Sequence, residues 1–299
     1  MDERELDFKF NKAMDLEKEG KTLHAIQIYS SLLNSPEYVR DASMQLHKIY
    51  EGMGNIPYAS KILLGFLDEN SADFELRKYY SLFLIKHGLY EEAVHQLAQI
   101  TPDEVPEVKF FAGLARFFMN EFETAVVNLS DFLSENHTSE YIYDAYIYLA
   151  KTELELNNPD KALEAAKGAD KIFSNNEELQ LLLTKIYLIK GMNFHAFESV
   201  SKGLRINKES KQMNELAGRI SFDLGEYDKA ENHLTKIADE AELSDDIFTL
   251  LGLIYFKKRD YLKANEMFAK ALEINPGNGT ALENRQLCSE RLDKQNISQ

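Results

Sequence analysis

The chain has 299 residues, 44% of them hydrophobic and 28% charged, enough apolar material for one large or two ordinary globular units and too much for a disordered chain. Fifty acidic against 34 basic side chains leave a formal charge of -16, a field that repels a phosphate backbone, so nucleic acid is not an expected partner. A single cysteine, Cys288, excludes an internal disulfide framework and a cysteine zinc site.

With 14 Gly, 6 Pro and no Trp, the chain lacks the punctuation of hairpins and sandwiches, and an all-α fold is predicted. The N-terminal MDERELDFKFNKAMDLEKEG alternates charges, and the most apolar stretches, FFAGLARFF and LQLLLTKIYLI, are interrupted by Arg116 and Lys185. Neither secretion nor membrane insertion is expected, and a cytoplasmic location follows. From there a six-residue block ending in alanine recurs in order: GKTLHA at Ala25, GNIPYA at Ala59, GLYEEA at Ala93, NEFETA at Ala125, NNPDKA at Ala162, GMNFHA at Ala196, GEYDKA at Ala230 and RDYLKA at Ala264. The alanines are 34, 34, 32, 37, 34, 34 and 34 residues apart. A fixed period of this length is the mark of a stacked repeat.

Other columns keep the register. Twelve residues upstream of each alanine stand Ala13, His47, Ser81, Gly113, Ala150, Thr184, Gly218 and Gly252, all small except His47; four downstream stand Tyr29, Leu63, Leu97, Leu129, Ala166, Val200, Leu234 and Phe268, all apolar. Two antiparallel helices per repeat explain both columns: small residues let the backbones approach, and larger neighbours fill the space beside them. The Gly or Asn that opens each block supplies the left-handed residue ending the first helix, a pattern broken only by Arg259. Pro57 and Pro159 fall at the start of second helices, and Pro106 is expected to open a first helix. The short spacing places a deletion near Thr101 to Pro106 and the long one an insertion in ENHTSEY.

The pattern resembles the tetratricopeptide repeat. Phe248, Leu251, Gly252, Tyr255, Tyr261, Ala264, Phe268, Ala271 and Pro276 occupy its consensus columns in the last copy, while Lys12, Arg116, Glu153 and Gly203 depart from them elsewhere. The resemblance implies a right-handed superhelical α-solenoid of eight copies, at about 6–39, 40–73, 74–105, 106–142, 143–176, 177–210, 211–244 and 245–278. A capping helix at 279–294 would complete a single domain over 1–294, with Ala281, Leu282, Cys288 and Leu292 covering the last repeat and 295–299 a frayed tail.

Catalytic constellations are missing from the sequence. The seven histidines form no HExxH, HxH or HxxxH pair, PGNGT lacks the lysine of a phosphate loop, and Glu91 with Glu92 or Asp245 with Asp246 read as helix starts. The chain is therefore expected to be no enzyme and to need no cofactor or metal. The resemblance instead directs attention to the fifth, ninth and twelfth residues of the first helices, which line the concave groove of the family. These are Phe110 and Phe117, with Phe118 adjacent; Ile147, Lys151 and Leu154; Leu181, Lys185 and Leu188; and Arg219, with Phe222 continuing the row. The alternative is that superhelical curvature buries the apolar members. Lys151, Lys185 and Arg219 form a basic ladder suited to acidic groups, unless Glu155 and Asp223 occupy two of its members. The carboxylate-clamp trio of some family members is not reproduced.

The function expected is a noncatalytic scaffold or adaptor that binds a protein, peptide or partner helix. Alternatives are a self-assembling scaffold or homo-oligomer, a peptide-sensing regulatory subunit and an enzyme accessory subunit.

Overall fold

A computed structural model describes residues 3–101, 103, 105–238 and 245–297. These hold seventeen α-helices and no strand. The packing divides the chain into two compact units, Met1–Thr152 and Glu153–Gln299. The first contains α1 (Glu3–Lys18), α2 (Thr22–Leu32), α3 (Val39–Gly52), α4 (Ile56–Glu69), α5 (Phe74–Lys86), α6 (Tyr90–Leu97), α7 (Val108–Phe118), α8 (Phe122–Glu135) and most of α9 (Ile142–Glu155). The second contains α10 (Pro159–Ile172), α11 (Glu177–Ile189), α12 (Asn193–Ile206), α13 (Lys211–Asp223), α14 (Tyr227–Ala238), α15 (Asp245–Lys257), α16 (Tyr261–Ile274) and α17 (Gly279–Ile297). Within each unit a helix packs on its hairpin partner and on the next hairpin, as in α1 on α2 and α2 on α3, or α13 on α14 and α14 on α15.

The three sequence columns lie in the core. All eight block alanines, the small residues twelve before them and the residues four after them are buried. The small column faces the large one inside a hairpin. A Cβ built on Gly113 would lie 2.8 Å from Leu129 Cγ, one on Gly218 2.5 Å from Leu234 Cγ, and one on Gly252 2.5 Å from Phe268 Cε1. Where the column carries His47, the buried ring stands in hydrogen-bond contact through Nδ1 with Ala59 O at 3.1 Å and packs edge-on against Phe83.

Helix ends follow local rules. Asn55, Asp73, Asn176 and Asp260 accept backbone N–H groups at the starts of α4, α5, α11 and α16. Pro57 and Pro159 lie in the first turns of α4 and α10, but Pro106 sits in the turn before α7 instead of opening it. The first helices end in a left-handed residue, including Arg259, with φ 65°. The hairpin geometry thus imposes this conformation on a residue that bears a Cβ, at a cost of about 1 kcal/mol. Arg259→Gly is expected to gain about 1 kcal/mol and raise the melting temperature by about 2–4 °C, read by thermal unfolding.

Other devices hold the hairpins together. Four residues before the small column, Arg77, Gln180 and Asn214 each reach back six residues to a backbone carbonyl, of Ser71 at 3.3 Å, Ser174 at 3.0 Å and Lys208 at 2.9 Å. These side chains stand in the column of Phe248 and tie the connection between hairpins where an aromatic would only pack. In the second unit Asn207 donates to Glu177 at 3.0 Å and Asn275 to Asp245 at 2.9 Å, fastening the end of a second helix to the start of its own first helix. Lys190 with Asp160 and Lys258 with Asp228 join successive hairpins at the same 30-residue separation.

Helix α17 begins behind Asn278, whose side chain accepts Ala281 N–H at 2.9 Å and donates to Asp245 at 2.7 Å. Ala281 and Cys288 are buried, and Leu292 is half-buried, but Leu282 is 51% exposed, so it does not cover the last repeat. The helix runs to Ile297, three residues past the predicted end of the cap. Residues 298 and 299 of the predicted tail lie outside the described residues, as do Pro102 and Glu104 in the segment assigned to the deletion.

Burial drives the pKa of His47 below its ordinary 6.5 and pushes that of His233 the same way. The folded state therefore prefers both rings neutral. Their stabilisation is complete above the unfolded value and declines as pH falls through about 6.5 towards the lower folded values. Urea midpoints are expected to drop between pH 7.5 and 5.5, and His47→Gln to reduce that drop; an unchanged drop would show that the buried ring is not its source.

Candidate functional site

In the first unit the end of α7 and its surroundings form an aromatic platform. Phe117 lies against Phe118, Phe122 and Tyr148 at 5.4, 5.9 and 5.4 Å between ring centres, and Phe118 stacks on Tyr90 at 5.2 Å and 13°. Lys151 Nζ lies 4.8 Å from the centre of the Tyr148 ring. Phe118 is 41% exposed, whereas Phe117, Tyr90, Tyr148 and Lys151 are half-buried. Such a surface combines large apolar area with a cation held over a ring face.

Two residues predicted for the groove do not belong to a surface. Phe110 is 3% and Ile147 4% exposed. Phe110 is walled in by Phe111, Phe132 and Tyr141 at 5.2, 5.6 and 5.2 Å, which makes it a core residue. Both lie on helix faces that neighbouring helices cover.

In the second unit Leu154, Leu181, Leu188 and Phe222 are half-buried, and Ile189 beside Leu188 is 58% exposed. Lys185 is exposed, without a hydrogen bond or ion pair among the described residues. Arg219 is held by Glu215, one turn before it, at 2.9 and 3.1 Å, and lies 3.9 Å from Asp246. The Arg219 pair expected with Asp223 is therefore formed with Glu215 instead, in the orientation, acid before base, that suits the helix dipole.

Tyr90, Phe122 and Tyr148 were not among the predicted surface residues. A signal for Phe122 was present: Phe117 with Phe122, Phe222 with Tyr227 and Phe256 with Tyr261 are aromatic pairs five residues apart across each hairpin turn, at 5.9, 5.7 and 5.4 Å. Among the described residues no group of three or more His, Cys, Asp or Glu could hold a metal ion, and no helix is long and apolar enough to cross a membrane.

The hairpin period, the three buried columns and the left-handed turns define an all-helical repeat protein. Residues 246–278 match the tetratricopeptide repeat family. It is 24% identical over 276 residues to the BBSome complex member BBS4 of Bos taurus, an alignment that takes 87% of this chain and 52% of that one. The chain thus spans about half the length of that relative. Among solved structures, a tetratricopeptide repeat protein from Parabacteroides merdae has a TM-score of 0.55 at 14% identity, covering 83% of this chain and 98% of its own. YrrB, described as having an unusual peptide-binding site, has a TM-score of 0.57 at 19% identity, covering 62% and 95%. These likenesses show the shared fold.

Proposed function

We propose that the chain is a noncatalytic scaffold that receives a peptide or partner helix on the aromatic platform around Phe118. The observation that carries this reading is the stacked Tyr90–Phe118 pair left open beside Tyr148 and Lys151. Full burial of Phe117 and Phe118 against a ligand would contribute roughly 1.5–3 kcal/mol each before association costs. The relative BBS4 is by its name a member of a multiprotein complex, which supports an assembly role. The half-buried leucines of α11 and the exposed Lys185 and Ile189 are proposed as a further contact surface of the second unit.

Phe118→Glu is the test. Its side chain is open enough for the change to leave the fold standing, so partner binding should weaken by about tenfold or more, corresponding to at least about 1.4 kcal/mol, with unaltered circular dichroism. Undiminished binding would remove the platform from the function.

A further inference from the structure

The second helix of the third hairpin, α6, has only eight residues, against eleven in α2 and fourteen in α4 and α8. Beside it a cavity of about 320 Å³ opens among α6, α7 and α8. Its apolar wall includes Val94 and Leu97 from α6 and Val108 and Ala112 from α7, and Lys109 and Arg116 supply its charged side. The cavity shares none of these residues with the aromatic platform.

Arg116 is the anomaly. It stands three residues after Gly113, in the column that holds Tyr187 and Tyr255 in other copies. In the second unit Tyr255 donates its hydroxyl to Glu231 at 2.8 Å, and Lys258 supports the same carboxylate at 2.6 Å. Glu231 follows the block alanine Ala230; the residue following Ala93 is Val94. Glu231 is the one acid in its column, so at this place in the first unit a guanidinium stands in the tyrosine column and faces a valine.

Arg116 Nε is buried and lacks a hydrogen-bond partner. Glu121 offers its nearest ion-pair contact, at 3.8 Å, outside hydrogen-bond distance. Lys109 is already engaged by Glu135 at 2.5 Å, with Asp131 at 3.8 Å, and the Asn128 side chain at the rim donates to Thr124 O at 3.0 Å. The Arg116 side chain is 30% exposed, so the open part of its guanidinium can meet an acceptor that also brings apolar surface into the cavity.

We propose that this cavity binds a segment of a partner protein in which a carboxylate side chain lies beside an aliphatic one, the carboxylate on Arg116 and the aliphatic group against the partly exposed Val94 and Ala112. The net negative charge of the chain does not forbid such a ligand, because at physiological salt the field of distant groups is screened beyond about 8 Å. Glu121 competes with it.

Two pools of blocked nonapeptides test the assignment, one with glutamate between two aliphatic residues at its centre and one with glutamine there. They are titrated into isotopically labelled protein while the Arg116 Nε–H and Ala112 amide resonances are followed. The glutamate pool should bind about tenfold more tightly than the glutamine pool. Arg116→Met should bring the ratio close to one while keeping the urea midpoint at or above its original value, since a guanidinium is exchanged for an apolar chain. Glu121→Gln should tighten binding of the glutamate pool by removing the competing carboxylate. Equal binding of the two pools, no movement of either resonance, or a preference that survives in Arg116→Met would overturn the proposal.

Discussion

Gly252→Val is expected to destabilise the second unit by about 3 kcal/mol, the upper end of what overpacking costs. A Cβ at this position would lie 2.5, 2.6 and 2.8 Å from three atoms of the Phe268 ring. That ring is buried on every side and cannot withdraw into solvent. Two glycines serve as internal controls. At Gly203 the Cβ would meet Met213 Cε at 2.4 Å, the free end of a flexible side chain that can turn aside, so Gly203→Ala should cost less. At Gly65, within α4, nothing lies within 4 Å, and Gly65→Ala should stabilise by about 0.5–1 kcal/mol through helix propensity alone. Urea unfolding of the three variants measures the series. An equal effect at Gly252 and Gly65 would mean that the hairpin is not closely packed at its small column.

Arg77→Ala is expected to cost the first unit about 3 kcal/mol, a loss that combines hydrogen bonds with buried volume. Although 97% hidden, the Arg77 side chain donates to Gln96 and to the carbonyls of Leu67 and Ser71. Removing it leaves these acceptors short of partners and opens a void between α5 and the preceding connection. Arg77→Met restores most of the volume without the donors, so the difference between the two variants in urea unfolding apportions the loss. If both variants match the original protein, the connection before α5 is held by other contacts.

The repeat itself was legible because its columns serve packing that every copy shares. Ala264, Gly252 and Phe268 can be placed from spacing alone, since a hairpin has one way to bring two backbones together at a small residue. Arg259 was misleading at the level of composition: the turn demands a left-handed residue whichever side chain is present. Phe110 and Ile147 could not be separated from Phe117 and Phe118 by helical phase, because burial at the edge of a helix face depends on what the neighbouring segments bring, here Tyr141, in the turn before α9, over Phe110. Arg219 had acids four residues away on both sides, and rotamer geometry selected Glu215. The buried Nε of Arg116, without a hydrogen-bond partner, becomes visible only in the packed structure.

Partner capture from extracts of the source cells, with the original chain and Phe118→Glu run in parallel at matched concentration and matched urea stability, tests the interaction reading most directly. The account predicts a partner recovered by the original chain and reduced by about tenfold or more with the variant. Equal recovery by both chains would contradict it.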